Sequence, residues 1–154
     1  MKTSFTLAII KPEIVAQQKA GQVIAKIEEN VFFIRAIKMT ELTTADVEEF
    51  YAMHKDRPFF HELLAYMTSG PVIVMALEGL DAVPSFRTLI GATNPKDAAP
   101  GTIRQLFGKS IDTNAIHGSD ADEAAKTEIT FFFPDFFKEK GNNMHQTHTC
   151  CCSH

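Results

Sequence analysis

The sequence predicts an α+β fold, a ferredoxin-like antiparallel sheet sandwich (βαββαβ) with helices on the sheet and a long ordered loop before His117. Segments that alternate like strands are separated by segments with helical periodicity. Two successive helical segments separate the second and third strands, which suits an antiparallel sandwich better than a parallel doubly wound sheet. A continuous apolar run bounded by glycines, residues 70–79, is typical of a central strand covered on both faces.

The N-terminal residues predict a strand, a helix and a second strand. Residues 4–10, SFTLAII, alternate and then become continuously apolar, and the strand is expected to end at Lys11 and Pro12. From Glu13 to Asn30 the apolar residues recur at helical spacing, which predicts one helix. Residues 32–42, FFIRAIKMTEL, combine partial alternation with aromatic and β-branched side chains and therefore predict a strand.

The middle of the chain predicts two helices, the central strand and another helix. Residues 43–54 begin with threonines and acidic side chains, which are the residue types that start a helix. Pro58 stands at a plausible first helical position of segment 57–67, whose apolar residues share one face. The apolar strand at 70–79 follows, and a short helix is expected from Asp81 to Ile90.

The last third of the chain predicts a loop, a short extended stretch and a helix. Residues 91–114 contain several glycines and prolines and little periodicity, so we expect a long ordered loop, and such loops tend to be functional. An extended stretch is expected near Thr113 to Ile116. Asp120 and Glu123 stand at capping-box spacing at the start of the last helix.

Length and composition predict one domain followed by a tail. A chain of 154 residues usually forms one domain with one hydrophobic core. We place this domain at residues 1–137 and expect a flexible tail with His and Cys at 138–154, because the chain becomes polar and irregular beyond Pro134. The three cysteines are adjacent in that tail, so none of them is available to cross-link the domain.

Charge and hydropathy exclude several classes of protein. With 15 Lys and Arg against 19 Asp and Glu, the net charge of −4 provides no electrostatic footprint for duplex DNA, and stable nucleic-acid binding is not predicted. The chain contains no apolar run of about 18 residues, so no membrane segment is predicted. The N-terminal apolar stretch is too short for a signal peptide, and a cytoplasmic location is therefore expected.

The sequence around His117, NAIHGSD, leaves three interpretations open. Residue type alone favours a structural histidine. A zinc site needs several ligands at characteristic spacings, and the domain offers only His54, His61 and His117, none at such a spacing. As a nucleophile, His117 needs a partner such as Glu128, which would fix the tautomer by accepting a hydrogen bond from one ring nitrogen. Because a glutamate is more often exposed, spacing does not decide between these interpretations.

Several stretches of the chain together resemble one known family. Five stretches of this chain resemble the signature blocks of nucleoside diphosphate kinases in order and spacing. They are AIIKPEIV, FYAMHKDRPFF, TSGPVIVMALEG, LIGATNPKDAAPGTIR and NAIHGSDADEAAKTEI. The resemblance covers Thr6 to Phe133, and the His-Gly-Ser-Asp block after Asn114 is highly specific. It implies a ferredoxin-like core and a ping-pong transfer of the terminal phosphoryl group, typically from ATP, to a nucleoside diphosphate through a phosphohistidine.

The resemblance also implies roles for individual residues in catalysis. His117 matches the family's nucleophile, and Glu128 and Ser119 match the pair that orients its ring. Tyr51 matches the hydroxyl beside the ring, and Lys11 matches the lysine that reaches the sugar hydroxyl and the phosphates.

A second implied set contacts the nucleotide. Arg87, Thr93 and Arg104 match the phosphate clamp, while Phe59 and Ile111 match the side chains on the two faces of the base. The full nucleotide-binding set implied by the resemblance is Lys11, Phe59, Leu63, Arg87, Thr93, Arg104, Ile111 and Asn114, the last of which holds the sugar.

The resemblance implies a cofactor and partners as well. Phosphoryl transfer needs cations that converge on the phosphates, so Mg²⁺ is expected, bound through the nucleotide phosphates with no metal ligand from the protein. Stacking on Phe59 does not discriminate among bases, which implies broad specificity for ATP and other nucleoside di- and triphosphates. The family assembles as homo-oligomers, either hexamers or tetramers.

Alternatives remain for single residues and for the whole chain. Phenylalanines are more often in the core and arginines more often solvated on the surface, so Phe59, Arg87 and Arg104 have ordinary structural explanations. The chain could be a catalytically silent relative that serves as an interaction module, but every matched catalytic residue is present. The tail HQTHTCCCSH offers metal ligands, or sites of reversible acylation, although its spacing fits no standard zinc pattern.

Overall fold

The computed structural model describes residues 2–138, which form a four-stranded sheet with helices on both faces. The strands are β1 Thr3–Ile10, β2 Phe33–Thr40, β3 Val72–Leu80 and β4 Ile116–Gly118. The helices are α1 Pro12–Ala16, α2 Ala20–Glu29, α3 Thr44–Phe50, α4 Phe60–Met67, α5 Ala82–Ile90, α6 Ile103–Phe107 and α7 Asp122–Phe132, with a 3₁₀ turn at Ala52–His54. No helix in the described range is long and apolar enough to cross a membrane. The predicted tail, 138–154, lies outside the described residues apart from Lys138.

The strand order is β2-β3-β1-β4, and each neighbouring pair is antiparallel. β1 and β3 form the centre of the sheet and pair along their whole length, from Thr3 opposite Leu80 to Ile10 opposite Ile73. β3 is buried along nearly all of its length, as its continuous apolar run predicts. This topology confirms the ferredoxin-like sandwich, into which α3 and α4 are inserted between β2 and β3.

The side chains of β1 alternate between two cores on opposite faces of the sheet. Ala8 and Ile10 belong to one core, and Leu7 and Ile9 belong to the other. The first core is completed from α2 and α5 by Val23, Ile27, Phe86 and Ile90. The second is completed from α3, α4 and α7 by Val47, Met67 and Ile129. The alternation therefore decides which helices a side chain on the sheet meets.

Residues 13–30 form two helices rather than the single helix predicted. α1 ends at Ala16, and Gln18 has a φ of 61°, in the left-handed region that interrupts a helix. The residues at 17–19 are Gln, Gln and Lys, so no apolar side chain anchors a continuous helix to the core there. Because packing of an apolar face supplies most helical stability in proteins, the helix resumes only at Ala20.

Two predicted helix starts have different outcomes. Thr43 caps α3 as predicted, because its Oγ1 accepts the Asp46 N–H at 3.1 Å and the Asp46 carboxylate accepts the Thr43 N–H at 2.9 Å. The prediction for Pro58 was wrong. α4 begins at Phe60, so the proline lies in the preceding turn.

The capping box predicted for the last helix does not form. α7 begins at Asp122, and its N-cap residue is Ala121, which has no side-chain oxygen to accept an N–H. Asp120 therefore lies one residue outside the cap, and Glu123 is the second helical residue rather than the third. The acidic residues of the first turn still interact favourably with the helix dipole.

The connection 91–115 joins α5 to β4 and contains the short helix α6, which the sequence did not predict. Thr102 caps α6 by accepting the Gln105 N–H at 3.3 Å. Of the extended stretch predicted at 113–116, only Ile116 belongs to a strand, because β4 runs from Ile116 to Gly118 and Ala115 before it has a positive φ. The connection thus brings Thr93, Arg104 and Asn114 towards the same end of the sheet as β4.

Candidate active site

His117 lies on β4, at the edge of the sheet beside β1. Ile9 pairs with His117, and Ile10 pairs with Ile116. Because neighbouring strand residues point to opposite faces, Ile116 enters the core formed by α2 and α5, and His117 lies on the side of α3 and α7. The side chain of His117 is 19% exposed. It is therefore neither sealed in hydrocarbon nor free in solvent, which argues against a purely structural histidine.

A chain of hydrogen bonds fixes the imidazole of His117. His117 Nε2 donates to Glu128 Oε1 over 2.6 Å, and Ser119 Oγ donates to the same oxygen over 3.1 Å. Ser119 is fully buried, and its Oγ accepts the N–H of Leu7 at 3.1 Å. Because a carboxylate only accepts, the neutral form of this imidazole carries its proton on Nε2 and its lone pair on Nδ1. No residue in the range 2–138 forms a hydrogen bond with that second nitrogen.

Two aromatic rings at the end of α3 pack against the imidazole. The Phe50 ring lies edge-on with its centroid 5.3 Å from that of His117, and the Tyr51 ring lies nearly perpendicular at 6.1 Å. Burial of the Tyr51 hydroxyl, and then the negative charge of Glu128, raise the pKa of this phenol. Tyr51 therefore stays protonated and able to donate a hydrogen bond beside His117.

Lys11 directly follows β1, and its amine is buried. Its Nζ donates to Asn114 Oδ1 over 2.6 Å, and Asn114 Nδ2 donates in turn to the backbone oxygen of Thr93 over 3.1 Å. Burial, and then the nearby Arg104 cation, lower the pKa of Lys11 to about 8, while Glu13 opposes this shift. A buried ammonium group whose side-chain partner is a neutral amide favours an anionic ligand.

Arg104 is buried as well, which is unusual for an arginine. Its guanidinium donates to the backbone oxygens of Gly91 at 3.0 Å and Ile116 at 2.9 Å, while its Nε is buried and has no hydrogen-bond partner among residues 2–138. Burial, and then the neighbouring Arg87, lower the pKa of Arg104 to about 10. Within residues 2–138, Lys11, Arg87 and Arg104 form no ion pair. The site therefore concentrates positive charge in a protein whose net charge is negative.

A cavity of about 510 Å³ opens beside these groups, a size that suits a small-molecule ligand. Phe59 and Ile111, which are 44% and 55% exposed, both line it. Two large apolar side chains are thus available to a ligand instead of being packed in the core. Of the residues implied by the resemblance, the cavity is lined by Lys11, Tyr51, Phe59, Leu63, Thr93, Ile111 and Asn114.

The remaining implied residues lie around this cavity. His117 adjoins it through the ring contact with Tyr51, and Glu128 and Ser119 lie behind His117. Neither Arg87, which is exposed on α5, nor Arg104 lines the cavity, and the effect of Arg87 on the pKa of Arg104 indicates that the two guanidinium groups are near each other. The fold therefore gathers the whole implied set at one end of the sheet.

The structure also brings in residues that the sequence did not assign to the nucleotide site. His54, Glu62 and Asp112 line the cavity, with the His54 ring centroid 5.8 Å from that of Phe59. The available signal was proximity: Glu62 follows Phe59 by about one helical turn, and Asp112 adjoins Ile111. Within residues 2–138, no group of three or more His, Cys, Asp or Glu side chains is placed to hold a metal ion.

Comparisons with known proteins show the family to which this chain belongs. The family model for nucleoside diphosphate kinase matches residues 4–137. The nucleoside diphosphate kinase of Halorhodospira halophila is 52% identical over 133 residues, 86% of this chain and 94% of that protein. The Aquifex aeolicus enzyme has a TM-score of 0.84 at 41% identity, covering 86% of this chain and 96% of its own. The halophilic Halobacterium salinarum enzyme, solved in complex with CDP, has a TM-score of 0.83 at 38% identity, with coverages of 87% and 90%. This chain therefore belongs to the nucleoside diphosphate kinase family.

Proposed function

We propose that the cavity beside His117 binds the nucleotide and that Nδ1 of His117 carries the phosphoryl group from donor to acceptor. The chain is a nucleoside diphosphate kinase, so the net reaction moves the terminal phosphoryl group of a nucleoside triphosphate to a nucleoside diphosphate. The assignment to His117 rests above all on the 2.6 Å hydrogen bond from Nε2 to Glu128, which leaves the Nδ1 lone pair available.

The reaction divides into two half-reactions at one site. In the first, the Nδ1 lone pair attacks the terminal phosphorus, and the bond from that phosphorus to the bridging oxygen breaks, so that the diphosphate leaves with this oxygen. In the second, a terminal oxygen of the other diphosphate attacks the phosphohistidine, and the P–N electrons return to Nδ1. Glu128 stabilises the positive charge that develops on the imidazole, and Ser119 holds Glu128 in place.

The proposed phosphate site consists of Lys11, Arg87 and Arg104. Charge on the transferring group spreads over its oxygens, so catalysis depends on pre-positioned cations. Arg104 suits this role because its Nη atoms are fixed by backbone oxygens and its Nε has no partner in the part of the chain that the structure describes. Thr93 supports the site through the Asn114 side chain, which is bonded both to its backbone oxygen and to Lys11.

The proposed nucleoside site places the base between Phe59 and Ile111, with Leu63 beside them and the sugar at Lys11 and Asn114. Stacking on an aromatic face is worth about 1–3 kcal/mol per base and differs little among bases. The Halobacterium relative was solved in complex with CDP, which supports a nucleotide as the ligand. We therefore expect ATP and other nucleoside di- and triphosphates as partners, with broad base specificity.

Mg²⁺ is the proposed cofactor. Lysine and arginine side chains do not ligate this ion, and the Asn114 oxygen already accepts from Lys11. The carboxylates of Glu62 and Asp112 line the cavity, but within residues 2–138 no three His, Cys, Asp or Glu side chains are grouped to hold a metal ion. The donor set therefore fits a metal that is held by nucleotide phosphate oxygens and water. When bound, Mg²⁺ supplies charge neutralisation on the phosphates. Excess EDTA in the assay should abolish phosphoryl transfer, and addition of Mg²⁺ should restore it.

We propose a homo-oligomer, hexamer or tetramer, with the edge strand β2 in a subunit contact. β2 exposes the large apolar side chains of Phe33, Ile37 and Met39. An apolar sheet edge of this kind is a liability unless another surface covers it. Analytical ultracentrifugation should show an oligomer for the wild type and a smaller species for Ile37→Lys. A monomeric wild type would contradict this assembly.

The domain boundary and the location stay predictions. The family match over residues 4–137 supports a kinase domain at 1–137 followed by a tail at 138–154. Removal of the tail after Phe137 should leave phosphoryl transfer unchanged, and loss of transfer would contradict the boundary. Cell fractionation should find the enzyme in the cytoplasm, as the sequence predicts.

The central test is direct labelling of the histidine. Wild-type protein incubated with γ-labelled ATP should acquire an acid-labile, alkali-stable phosphate, and this label should leave on addition of a nucleoside diphosphate. His117→Ala should acquire no label, whereas His61→Ala, which removes an exposed histidine on α4, should label normally. If the wild type takes no label, or if His117→Ala keeps it, the proposed role of His117 is wrong.

A further inference from the structure

Ala115, two residues before His117, has a backbone conformation that residues with a side chain rarely adopt. Its φ of 76° lies in the left-handed region, which glycine, asparagine and aspartate tolerate better than alanine. Ala115 is buried where the connection 91–115 enters β4, next to Asn114. Strained backbone of this kind persists only where the surrounding structure holds it, and it is concentrated at functional sites.

Both peptide groups of Ala115 are held by the short segment that follows β1. The Lys11 N–H donates to the Ala115 oxygen over 2.9 Å. The Ala115 N–H donates to Glu13 Oε1 over 3.1 Å. The Lys11 N–H and the Glu13 carboxylate therefore hold the carbonyl and the N–H of Ala115, respectively.

Glu13 is itself fixed from the nucleotide side of the cavity. The hydroxyl of Tyr66 on α4 donates to Glu13 Oε2, and Tyr66 lines the cavity. Lys11 Nζ lies 5.7 Å from the centre of the Tyr66 ring and donates to Asn114. A single carboxylate thus connects the helix beside the nucleotide with the backbone that leads into His117.

We propose that Glu13 is a positioning residue for phosphoryl transfer, which holds the strained Ala115 peptide and thereby sets His117 and Asn114 relative to the cavity. This inference rests on the proposed role of His117. Glu13 itself touches neither the reacting nitrogen nor the transferred group. Its effect passes through the backbone of residues 114–116.

The physical argument starts from the Ala115 N–H. This group is buried, and within residues 2–138 its hydrogen-bond acceptor is Glu13. Without the carboxylate, the Ala115 N–H loses its partner. The Lys11 N–H still holds the Ala115 oxygen and the Ile116 N–H still holds the Asn114 oxygen, but these two bonds leave the Ala115 N–H unsatisfied, which favours relaxation towards negative φ. Such relaxation would rotate the peptides on either side of Ala115 and displace both neighbours. A displacement of about 1 Å at a reacting group is enough to cost about 100-fold in rate.

A double-mutant cycle with Ala115→Gly separates positioning from general stability. Glu13→Ala should lower the single-turnover rate of His117 phosphorylation between about 10-fold and about 100-fold, with KM for ATP changed by less than about 5-fold. Glu13→Gln should lose less, because its amide oxygen can still accept from Ala115. In the Ala115→Gly background, the loss caused by Glu13→Ala should shrink to below about 3-fold, because glycine adopts positive φ without support. Glu29→Ala, an exposed carboxylate on α2, is the matched control and should lose less than about 2-fold.

The inference is overturned if Glu13→Ala costs the same factor in both backgrounds, or if it leaves the rate unchanged. A crystal structure of Glu13→Ala gives a readout that does not depend on activity. Ala115 should have moved to negative φ, and a retained φ near 76° would overturn the inference by itself. Failure of the wild type to be phosphorylated on His117 would instead contradict the proposed function, and the backbone of Glu13→Ala would then still decide whether Glu13 holds Ala115.

Discussion

Glu128 Oε1 accepts a hydrogen bond from His117 Nε2 at 2.6 Å, and this bond joins the edge strand β4 to helix α7. Both side chains are mostly but not fully buried, at 15% and 19% exposure. The bond is therefore strong enough to fix the tautomer, while the ring remains within reach of the cavity.

Glu128→Gln removes the negative charge while keeping the shape of the side chain. Charge that develops on the imidazole during transfer is then no longer neutralised, and we expect the rate of His117 phosphorylation to fall between about 10-fold and about 100-fold. Rapid-quench measurement with labelled ATP reports this rate directly. Glu123→Gln, on the exposed side of the same helix, is the control. Equal rates for the two variants would show that Glu128 has no electrostatic role.

The lowered pKa of Lys11 predicts that kcat/KM falls at alkaline pH. Its pKa is lowered to about 8, chiefly by burial, so the free enzyme loses this cation as the pH rises through that value. Since kcat/KM reports the ionisation of the free enzyme, it should fall above about pH 8. Lys11→Arg keeps its charge over this range and should lack this fall, although its absolute activity is lower. If the alkaline fall in kcat/KM persists in Lys11→Arg, it is caused by another group.

Phe59→Ala tests the proposed base platform. Because Phe59 is 44% exposed, its removal should change the melting temperature little, unlike removal of a core phenylalanine. KM should rise by about 5-fold to about 100-fold, similarly for purine and pyrimidine nucleotides, as expected for the loss of about 1–3 kcal/mol of stacking. Leu106→Ala, another exposed apolar residue outside the cavity lining, should leave KM unchanged. An unchanged KM for Phe59→Ala would exclude stacking.

Gly91→Ala should damage both stability and phosphate binding. Gly91 has a φ of 89°, and an added Cβ would lie 2.6 Å from Thr102 Oγ1 and 2.8 Å from Thr102 Cβ. The Gly91 carbonyl oxygen also accepts a hydrogen bond from Nη1 of Arg104. We expect a loss of about 1–3 kcal/mol in the free energy of unfolding, measured by urea denaturation, with a higher KM for ATP.

Gly101→Ala is the matched control for that substitution. Gly101 has a similar φ of 86°, but an added Cβ would meet nothing within 4 Å. It should therefore show the cost of backbone strain alone, about 1 kcal/mol, without the rise in KM. Equal effects of the two substitutions would mean that the contact with Thr102 and Arg104 does not matter.

Much of the fold could be predicted from local pattern. The apolar run at 70–79 and the Thr43 cap are determined by neighbouring residues, and both appear as predicted. The break at Gln18 and the start of the last helix at Asp122 depend on which residues find tertiary contacts, and the local pattern carries little signal of that.

The candidate site was predictable in its residue types but not in their environments. Residue type alone favoured a core position for Phe59 and a solvated Arg104, whereas the structure leaves Phe59 half exposed and buries Arg104. Glu13 gave no sequence signal, because its partner Ala115 is about a hundred positions away in the chain. Contacts between such distant residues are set by the strand order, which only the folded structure shows.

The pairing of β4 with β1 and the contact of β4 with α7 have a consequence for biogenesis. The strand that carries His117 pairs with β1, more than a hundred residues earlier in the chain, and the carboxylate partner of the ring comes from α7, which follows β4. A molecule in which α7 has not yet docked therefore lacks the carboxylate beside His117, and we expect it not to transfer phosphoryl groups. We expect phosphoryl transfer only from molecules in which the whole domain has folded.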